Sequence, residues 1–229
     1  MLRGRNIVPI TKNRADVRDI TTEPTTKRIR VALIEDEESV RQALSFQLRT
    51  AGFEVTPYSA AESLLEAGDA KEFDCVVADI YLPRMNGLQL QEELNRSIPH
   101  ASIVFITGHG DLSLGMHAMR KGAVDFLEKP LDDQALLSSI ARGADLSRQR
   151  RAHRMHLIEL EELERSLTSR EREVFALITS GLLNKQVAAE LGTTERTVKA
   201  HRASVMNKMR ADSLADLVRM AGVLRIHAS

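Results

Sequence analysis

The chain has 229 residues, 43% hydrophobic and 28% charged, which suits two small globular domains better than one large one; its single cysteine, Cys75, excludes an internal disulfide framework. No apolar run is long enough to span a bilayer, and the first 28 residues lack the apolar segment of a signal peptide, so a cytoplasmic protein with no membrane partner is expected. The formal net charge of zero conceals net values of +4, −9, +1 and +4 over residues 1–28, 29–146, 147–162 and 163–229, which points to an acidic body carrying a metal or phosphate switch and a basic tail domain suited to nucleic acid.

Residues 1–28 are polar and Thr-rich without sustained periodicity and read as a disordered N-terminal tail. From Ile29 the pattern changes. RVALI reads as a short apolar strand, and SVRQALSFQLRTAGF places Val40, Ala43, Leu44 and Leu48 at helical spacing before a stop at Gly52. Strand and helix then alternate: FEVTPY, SAAESLLEAG, FDCVVAD, LQLQEELNRS, SIVFITG, DLSLGMHAMRKG, AVDFLEK and DDQALLSSIARGADL. Five strands alternating with five helices, several strands apolar throughout, predict a parallel sheet covered on both faces. Cys75 falls inside one of these strands and reads as core.

In open parallel sheets ligands bind beyond the carboxyl ends of the strands. The polar residues expected there are Glu35, Asp36 and Glu37 after the first strand, Asp79 after the third, Thr107 after the fourth and Lys129 after the fifth. Clustered carboxylates repel one another unless a hard cation sits among them, and Mg²⁺ takes oxygen ligands while retaining water. Asp36 and Asp79 with Glu35 nearby suit such an ion, Lys129 and Thr107 suit phosphoryl oxygens, and Asp79 suits the nucleophile that forms an acyl phosphate. His109 and His117 follow the Thr-Gly pair with no third ligand at metal spacing and read as surface or packing residues.

The quoted pieces LIEDEESVR, DIYLPRMNG, FITGHGD and DFLEKP resemble, in order, the receiver domain of bacterial two-component systems over residues 29–146. The resemblance implies a flavodoxin-like α/β fold with five parallel strands. It implies Asp79 as phosphoacceptor, Mg²⁺ held by Glu35, Asp36, Asp79 and the Tyr81 carbonyl, phosphate contacts from Thr107 and Lys129, and Thr107 and Phe126 as switch residues. Glu35 stands where Asp is common and Leu82 where Met usually precedes the Pro.

Residues 147–166, rich in charge and free of Pro and Gly, read as a helical linker, with Leu157, Leu160 and Leu167 as an apolar stripe too short for a coiled coil. TSRE at Thr168–Glu171 fits a capping box opening a helix that Gly181 closes. Ala188, Gly192 and Val198 then fall at the spacing of a helix-turn-helix: a small contact residue, a turn glycine and an apolar anchor. Thr194 would cap the second helix, whose outer face offers Lys199, Arg202 and Lys208 with His201 to phosphates, and Lys199, Ala200 and Ala203 to base edges.

Leu167 to Val223, within an expected domain over residues 167–229, resemble the LuxR-type helix-turn-helix family through LTSREREVFALITSGLLNKQVAAELGTTERTVKAHRASVMNKM, and the whole chain is similar to response regulators of the FixJ/NarL class. That implies an all-α DNA-binding domain with contacts at Thr194, Thr197, Lys199, Ala200, Arg202, Ala203 and Lys208. It also implies a dimer-forming last helix, Ser213 to Ala221, with Leu214, Leu217 and Val218 facing inward. The partners implied are a sensor histidine kinase, double-stranded promoter DNA, RNA polymerase, and a second copy that joins on phosphorylation through the helix before Gly122 and the strand at Val124 to Phe126. The expected function is phosphorylation-dependent transcriptional regulation, with activation as the family habit and no enzymatic turnover. Two alternatives stay open: a receiver-type regulator that works without phosphate, and a Mg²⁺-dependent aspartyl phosphatase of the haloacid dehalogenase type. The latter places its nucleophile on the first strand, unlike Asp79.

Overall fold

The computed structural model describes residues 28–108 and 112–224; the expected tail, apart from Arg28, and His109 lie outside the described residues. Five short strands, β1 (Arg30–Ile34), β2 (Glu54–Tyr58), β3 (Cys75–Asp79), β4 (Ile103–Thr107) and β5 (Asp125–Glu128), form a parallel sheet in the order β2-β1-β3-β4-β5. The helices between them are α1 (Glu38–Thr50), α2 (Ala61–Ala67), α3 (Gly87–Ser97) and α4 (Leu112–Arg120), and α5 (Asp133–Arg165) follows β5. This is the doubly wound α/β arrangement that the alternating pattern predicts.

The alternation of side chains along each strand divides the core into two layers. Ala32, Ile34, Val76, Ala78, Ile103 and Phe105 face Leu64 of α2, Leu90 and Leu94 of α3 and Ala118 of α4. Val31, Leu33, Val77, Val104 and Ile106 face Leu44 and Leu48 of α1 and Leu136 and Ile140 of α5. Strands β3 and β4 are buried along their whole length, which is why they read as apolar runs. Edge strand β2 instead buries Val55 and exposes Glu54 and Thr56. Each fully buried Leu or Ile contributes about 1.5–3 kcal/mol, so these layers carry most of the sheet's stability. Cys75 sits in the second layer, and burial pushes its thiol up to about 12, as expected of an inert core residue.

Helix α5 does not stop near Leu146 but continues unbroken for 33 residues through the expected linker. No Pro or Gly interrupts it after Gly143, so nothing in the backbone ends it. Ser147 is fully buried, Arg151 donates to the carbonyls of Lys71 (2.9 Å) and Phe73 (3.2 Å), and Arg150 donates to that of Ala101 (3.3 Å). The helix thus grips the amino-end loops of the sheet one turn beyond the expected boundary. Residues 152–156 are exposed, and Leu160 is buried again where α5 meets the last helix.

The remaining helices, α6 (Ser169–Thr179), α7 (Asn184–Glu190), α8 (Glu195–Lys208) and α9 (Leu214–Leu224), surround a separate core of Val174, Phe175, Ile178, Val187, Val198 and Val205. The Thr168–Glu171 capping box opens α6 as its sequence predicts. Gly192, at φ +61°, makes the turn between α7 and α8, a left-handed conformation that favours glycine. One expectation for α9 is corrected: Leu217 is buried, but Leu214 and Val218 are 37% and 44% exposed. Helical geometry puts Leu217 and Ala221, four apart, against α6, and turns Leu214 and Val218 to the outside.

Candidate functional site

The carboxyl ends of β1, β3 and β5 converge because β1 and β3 are adjacent and Lys129 reaches back across β4. A cleft there is lined by Glu35, Asp36, Glu37, Val40, Asp79, Tyr81, Gly108 and Lys129. Lys129 Nζ lies 2.7 Å from Glu35 Oε2 and 2.7 Å from Asp79 Oδ2, while Asp79 Oδ1 accepts the Tyr81 amide at 2.8 Å. One ammonium therefore serves two carboxylates.

The electrostatics follow from that count. Burial, opposed by the bonds to Lys129, raises the Glu35 carboxyl above the usual range, and the nearby Asp79 charge adds to the shift. Burial draws the Lys129 ammonium down, yet its bonds to Asp79 and Glu35 outweigh burial and leave it raised. Asp36 is exposed, and its carbonyl and that of Glu35 accept from Arg41 at 3.0 and 2.7 Å. The local backbone is equally constrained. A Cβ on Gly87 would lie 2.7 Å from the Asp79 carbonyl oxygen and 2.9 Å from Phe105, so glycine is required for α3 to start directly beneath the aspartate.

These donors fit Mg²⁺ in chemistry: every ligand is oxygen, and Glu35, Asp36 and Asp79 bring more negative charge than Lys129 balances. They are gathered rather than assembled, since among the described residues no three His, Cys, Asp or Glu side chains converge on one metal-sized point. Glu35 Oε2 and Asp79 Oδ2 are both engaged by Lys129. Thr107 is fully buried at the end of β4, and its carbonyl accepts the Lys129 amide at 2.7 Å. Phe126, paired in register with Phe105, is half-buried and lines a second cavity with Leu112, Gly115, Met116 and Met119. His117 is exposed on α4.

On the C-terminal domain, helix α8 carries the candidate DNA contacts, and its neighbours sort them. Lys199, Ala200 and Ala203 are exposed. The Thr194 hydroxyl caps the helix by accepting the Thr197 amide at 3.2 Å, with the Thr197 hydroxyl 2.9 Å away. Arg202 donates to Asn184 Oδ1 on α7 at 3.2 Å. Lys208 is turned inward: its ammonium lies 2.7 Å from Glu171 Oε2 and 3.2 Å from the Ser166 carbonyl. Glu171 also accepts from the Ser204 hydroxyl at 2.6 Å and the Thr168 amide at 2.8 Å. Lys208, then Ser204 and Thr168, hold its carboxyl down to about 2.

Sequence reasoning found Glu171 only as half of a capping box. Its partners lie 33 and 37 residues away on α8, beyond the reach of any local pattern. Asn184, which braces Arg202, gave no signal either.

A parallel α/β domain that gathers acids and one lysine at its strand ends, followed by a compact helix-turn-helix, defines a signal receiver coupled to a DNA-binding domain. The family model for the response regulator receiver domain matches residues 31–141, and that for bacterial regulatory proteins of the luxR family matches residues 165–221. Nodulation protein W of Bradyrhizobium diazoefficiens is 45% identical over 208 residues, covering 91% of each chain. The transcriptional regulatory protein FixJ of Azorhizobium caulinodans is 42% identical over 195 residues, covering 83% of this chain and 90% of its own. Among solved structures, the response regulator StyR superposes with a TM-score of 0.75 at 43% identity, over 85% of this chain and 98% of that one. Full-length FixJ from B. japonicum gives 0.53 at 37% identity, over 87% and 98%. The chain belongs to the two-component response regulators that join a receiver domain to a LuxR-type DNA-binding domain, and it is FixJ-like. Its relatives are transcriptional regulators, which disfavours the phosphatase alternative. Among the described residues no helix is long and apolar enough to cross a membrane.

Proposed function

We propose that Asp79 accepts a phosphoryl group from the phosphohistidine of a sensor kinase and that the acyl phosphate converts the chain to a dimer that binds promoter DNA. The observation that carries this reading is the sharing of the Lys129 ammonium between Glu35 and Asp79 at 2.7 Å each. The Asp79 carboxylate attacks phosphorus; the P–N bond breaks, a P–O bond forms, and the freed imidazole takes up a proton. Glu35, Asp36, Asp79 and the Tyr81 carbonyl would hold Mg²⁺, which when bound offsets the charge of the phosphoryl oxygens. Lys129 then exchanges a carboxylate partner for a phosphoryl oxygen, and Thr107 supplies a hydroxyl. Phosphorylation adds up to about two negative charges, and charge-assisted bonds of this kind supply the differential energy that moves a two-state domain. A shift from 1:99 to 99:1 needs about 5.5 kcal/mol.

Phe126 couples this change to the face of α4 and β5. Exposed Leu112, Met116 and Met119 beside it support that face as the dimer contact. Paired DNA-binding domains would then meet two half-sites and recruit RNA polymerase as an activator does. The functional division is a receiver extending to about Arg151, a short helical spacer, and a DNA-binding domain anchored from Leu160 onward. The grips of Arg150 and Arg151 and the burial of Leu160 support it.

The test is uptake of one phosphoryl group from acetyl phosphate with Mg²⁺, read by mass spectrometry, together with light scattering. Modification and dimerisation that require both reagents and vanish in Asp79→Asn are the expected result. Equal dimerisation and DNA binding with or without phosphodonor would overturn the proposal in favour of phosphate-independent regulation.

A further inference from the structure

We infer that Arg196 is the side chain that reads a guanine in the DNA site, over a floor formed by Ala200 and Ala203. The inference rests on the reading that α8 enters the major groove.

Helix α8 buries Val198 and Val205 completely, as does Met209 just beyond its end. At about 100° per residue, Arg196, Ala200, Ala203 and Asn207 fall on one line along the opposite side of the helix. All four are exposed. This line, and not the flanks, is what the domain presents to a surface laid against α8.

The polar groups of α8 then divide by occupation. Thr194 caps the helix, Arg202 braces α7 through Asn184, and Lys208 and Ser204 are bound to Glu171. Lys199 is 3.4 Å from Glu195. Arg196 has no hydrogen-bond or ion-pair partner among the described residues. It also stands in the first turn of the helix, immediately after Glu195, where the macrodipole favours anions and disfavours a cation. An exposed arginine with no side-chain partner among the described residues, at the end of the helix where the macrodipole disfavours a cation, gains no electrostatic support from the fold; a ligand gives its guanidinium a use.

The chemistry names the ligand. The amino-terminal residues of a recognition helix are the ones that reach base edges, and a guanidinium forks onto guanine O6 and N7 with two parallel bonds. Ala200 and Ala203, one and two turns further along, have no side chain beyond Cβ, so the helix axis can approach the base edges and the Arg196 fork can reach them. A lysine in place of Arg196 keeps the charge but loses the fork.

The experiment is selection from a random duplex library with the full chain, in parallel with and without acetyl phosphate and Mg²⁺, for the wild type, Arg196→Ala and Arg196→Lys. The wild type should enrich half-sites holding guanine at one fixed position. Both variants should lose the preference at that position alone, with binding to the selected site weaker by about 5- to 150-fold. Unchanged melting of the variants separates this from misfolding, since the Arg196 side chain is exposed and has no hydrogen-bond or ion-pair partner among the described residues. A uniform loss across all sequences in Arg196→Ala, rescued by lysine, with a shallower salt dependence, would assign Arg196 to the phosphate backbone and overturn the inference. So would an unchanged motif. Failure of the wild type to enrich any sequence in either condition would instead sink the DNA-binding reading on which the inference stands.

Discussion

Each domain of this protein contains a lysine bound to a buried glutamate, and the two arrangements differ in what they leave over. In the receiver, Lys129 is divided between Glu35 and Asp79, with Asp36 beside them, so negative charge is in excess and Glu35 is raised. In the DNA-binding domain, Glu171 is the one carboxylate that Lys208 meets, Ser204 and the Thr168 amide complete that carboxylate, and Glu171 falls to about 2. The first cluster keeps an excess of negative charge, which the proposed cation and phosphoryl chemistry would use. The second is complete as it stands. A lysine and a glutamate in contact therefore mean different things according to the charges around them, and burial alone does not distinguish a switch from a rivet.

The largest effect should come from breaking the receiver cluster at its centre. Asp79→Asn should reduce phosphoryl uptake and phosphodonor-driven dimerisation to background while leaving the fold intact, as measured by mass spectrometry, light scattering and circular dichroism. Breaking the complete cluster should do the reverse. Glu171→Ala removes a partner of the half-buried Lys208 ammonium and of the Ser204 hydroxyl, and should cost about 1.5–3 kcal/mol in urea denaturation followed in the C-terminal domain, with phosphoryl uptake unaffected.

Gly87→Ala should have an intermediate effect. Its Cβ would press on the Asp79 carbonyl, and overpacking costs about 1–3 kcal/mol. Because the displaced atom belongs to the proposed phosphoacceptor, uptake from acetyl phosphate should slow as well. A variant that is destabilised yet phosphorylated at the normal rate would show that α3 is not what positions Asp79.

Acid sharpens the comparison further. Glu171 has a folded pKa of about 2, below the ordinary value near 4.3 for an unfolded glutamate, so its contribution to stability is present above that ordinary value and is lost as pH falls through about 2. Thermal melting of the C-terminal domain between about pH 4.5 and 2 should therefore decline less steeply in Glu171→Gln than in the wild type. Glu35 moves in the opposite direction, so ionisation of that carboxylate is disfavoured by folding. The smallest effect is expected from Asn184→Ala, which removes one partner of Arg202 and should cost about 0.5–1.5 kcal/mol in the same melts.

Much of this was legible in the chain itself. The apolar runs of β3 and β4, the helical spacing of α1 and the capping box at Thr168 are local signals, each expressed within a few neighbouring residues, and each element formed where its pattern lies. The acids and Lys129 were legible as strand-end residues because a parallel sheet aligns all its carboxyl ends. The end of α5 at Arg165 agrees with the expected linker; what was not legible is that the helix after β5 and the linker form one unbroken helix, because a stretch free of Pro and Gly carries no local mark of a domain boundary. The inward face of α9 held for Leu217 but not for Leu214 and Val218, for a related reason. Leu214, Leu217 and Val218 are equally apolar, and only the position of α6 determines which of them is covered.

The sequence by itself determined the class of fold, the order of the elements and the identity of the groups at the strand ends, since these depend on side-chain period and chain direction. Tertiary structure alone decided that Lys129 is shared by two acids, that Lys208 is committed to Glu171, and that Arg196 is left without a side-chain partner among the described residues. Charge balance is a property of groups brought together from distant parts of the chain, and no window of sequence contains it.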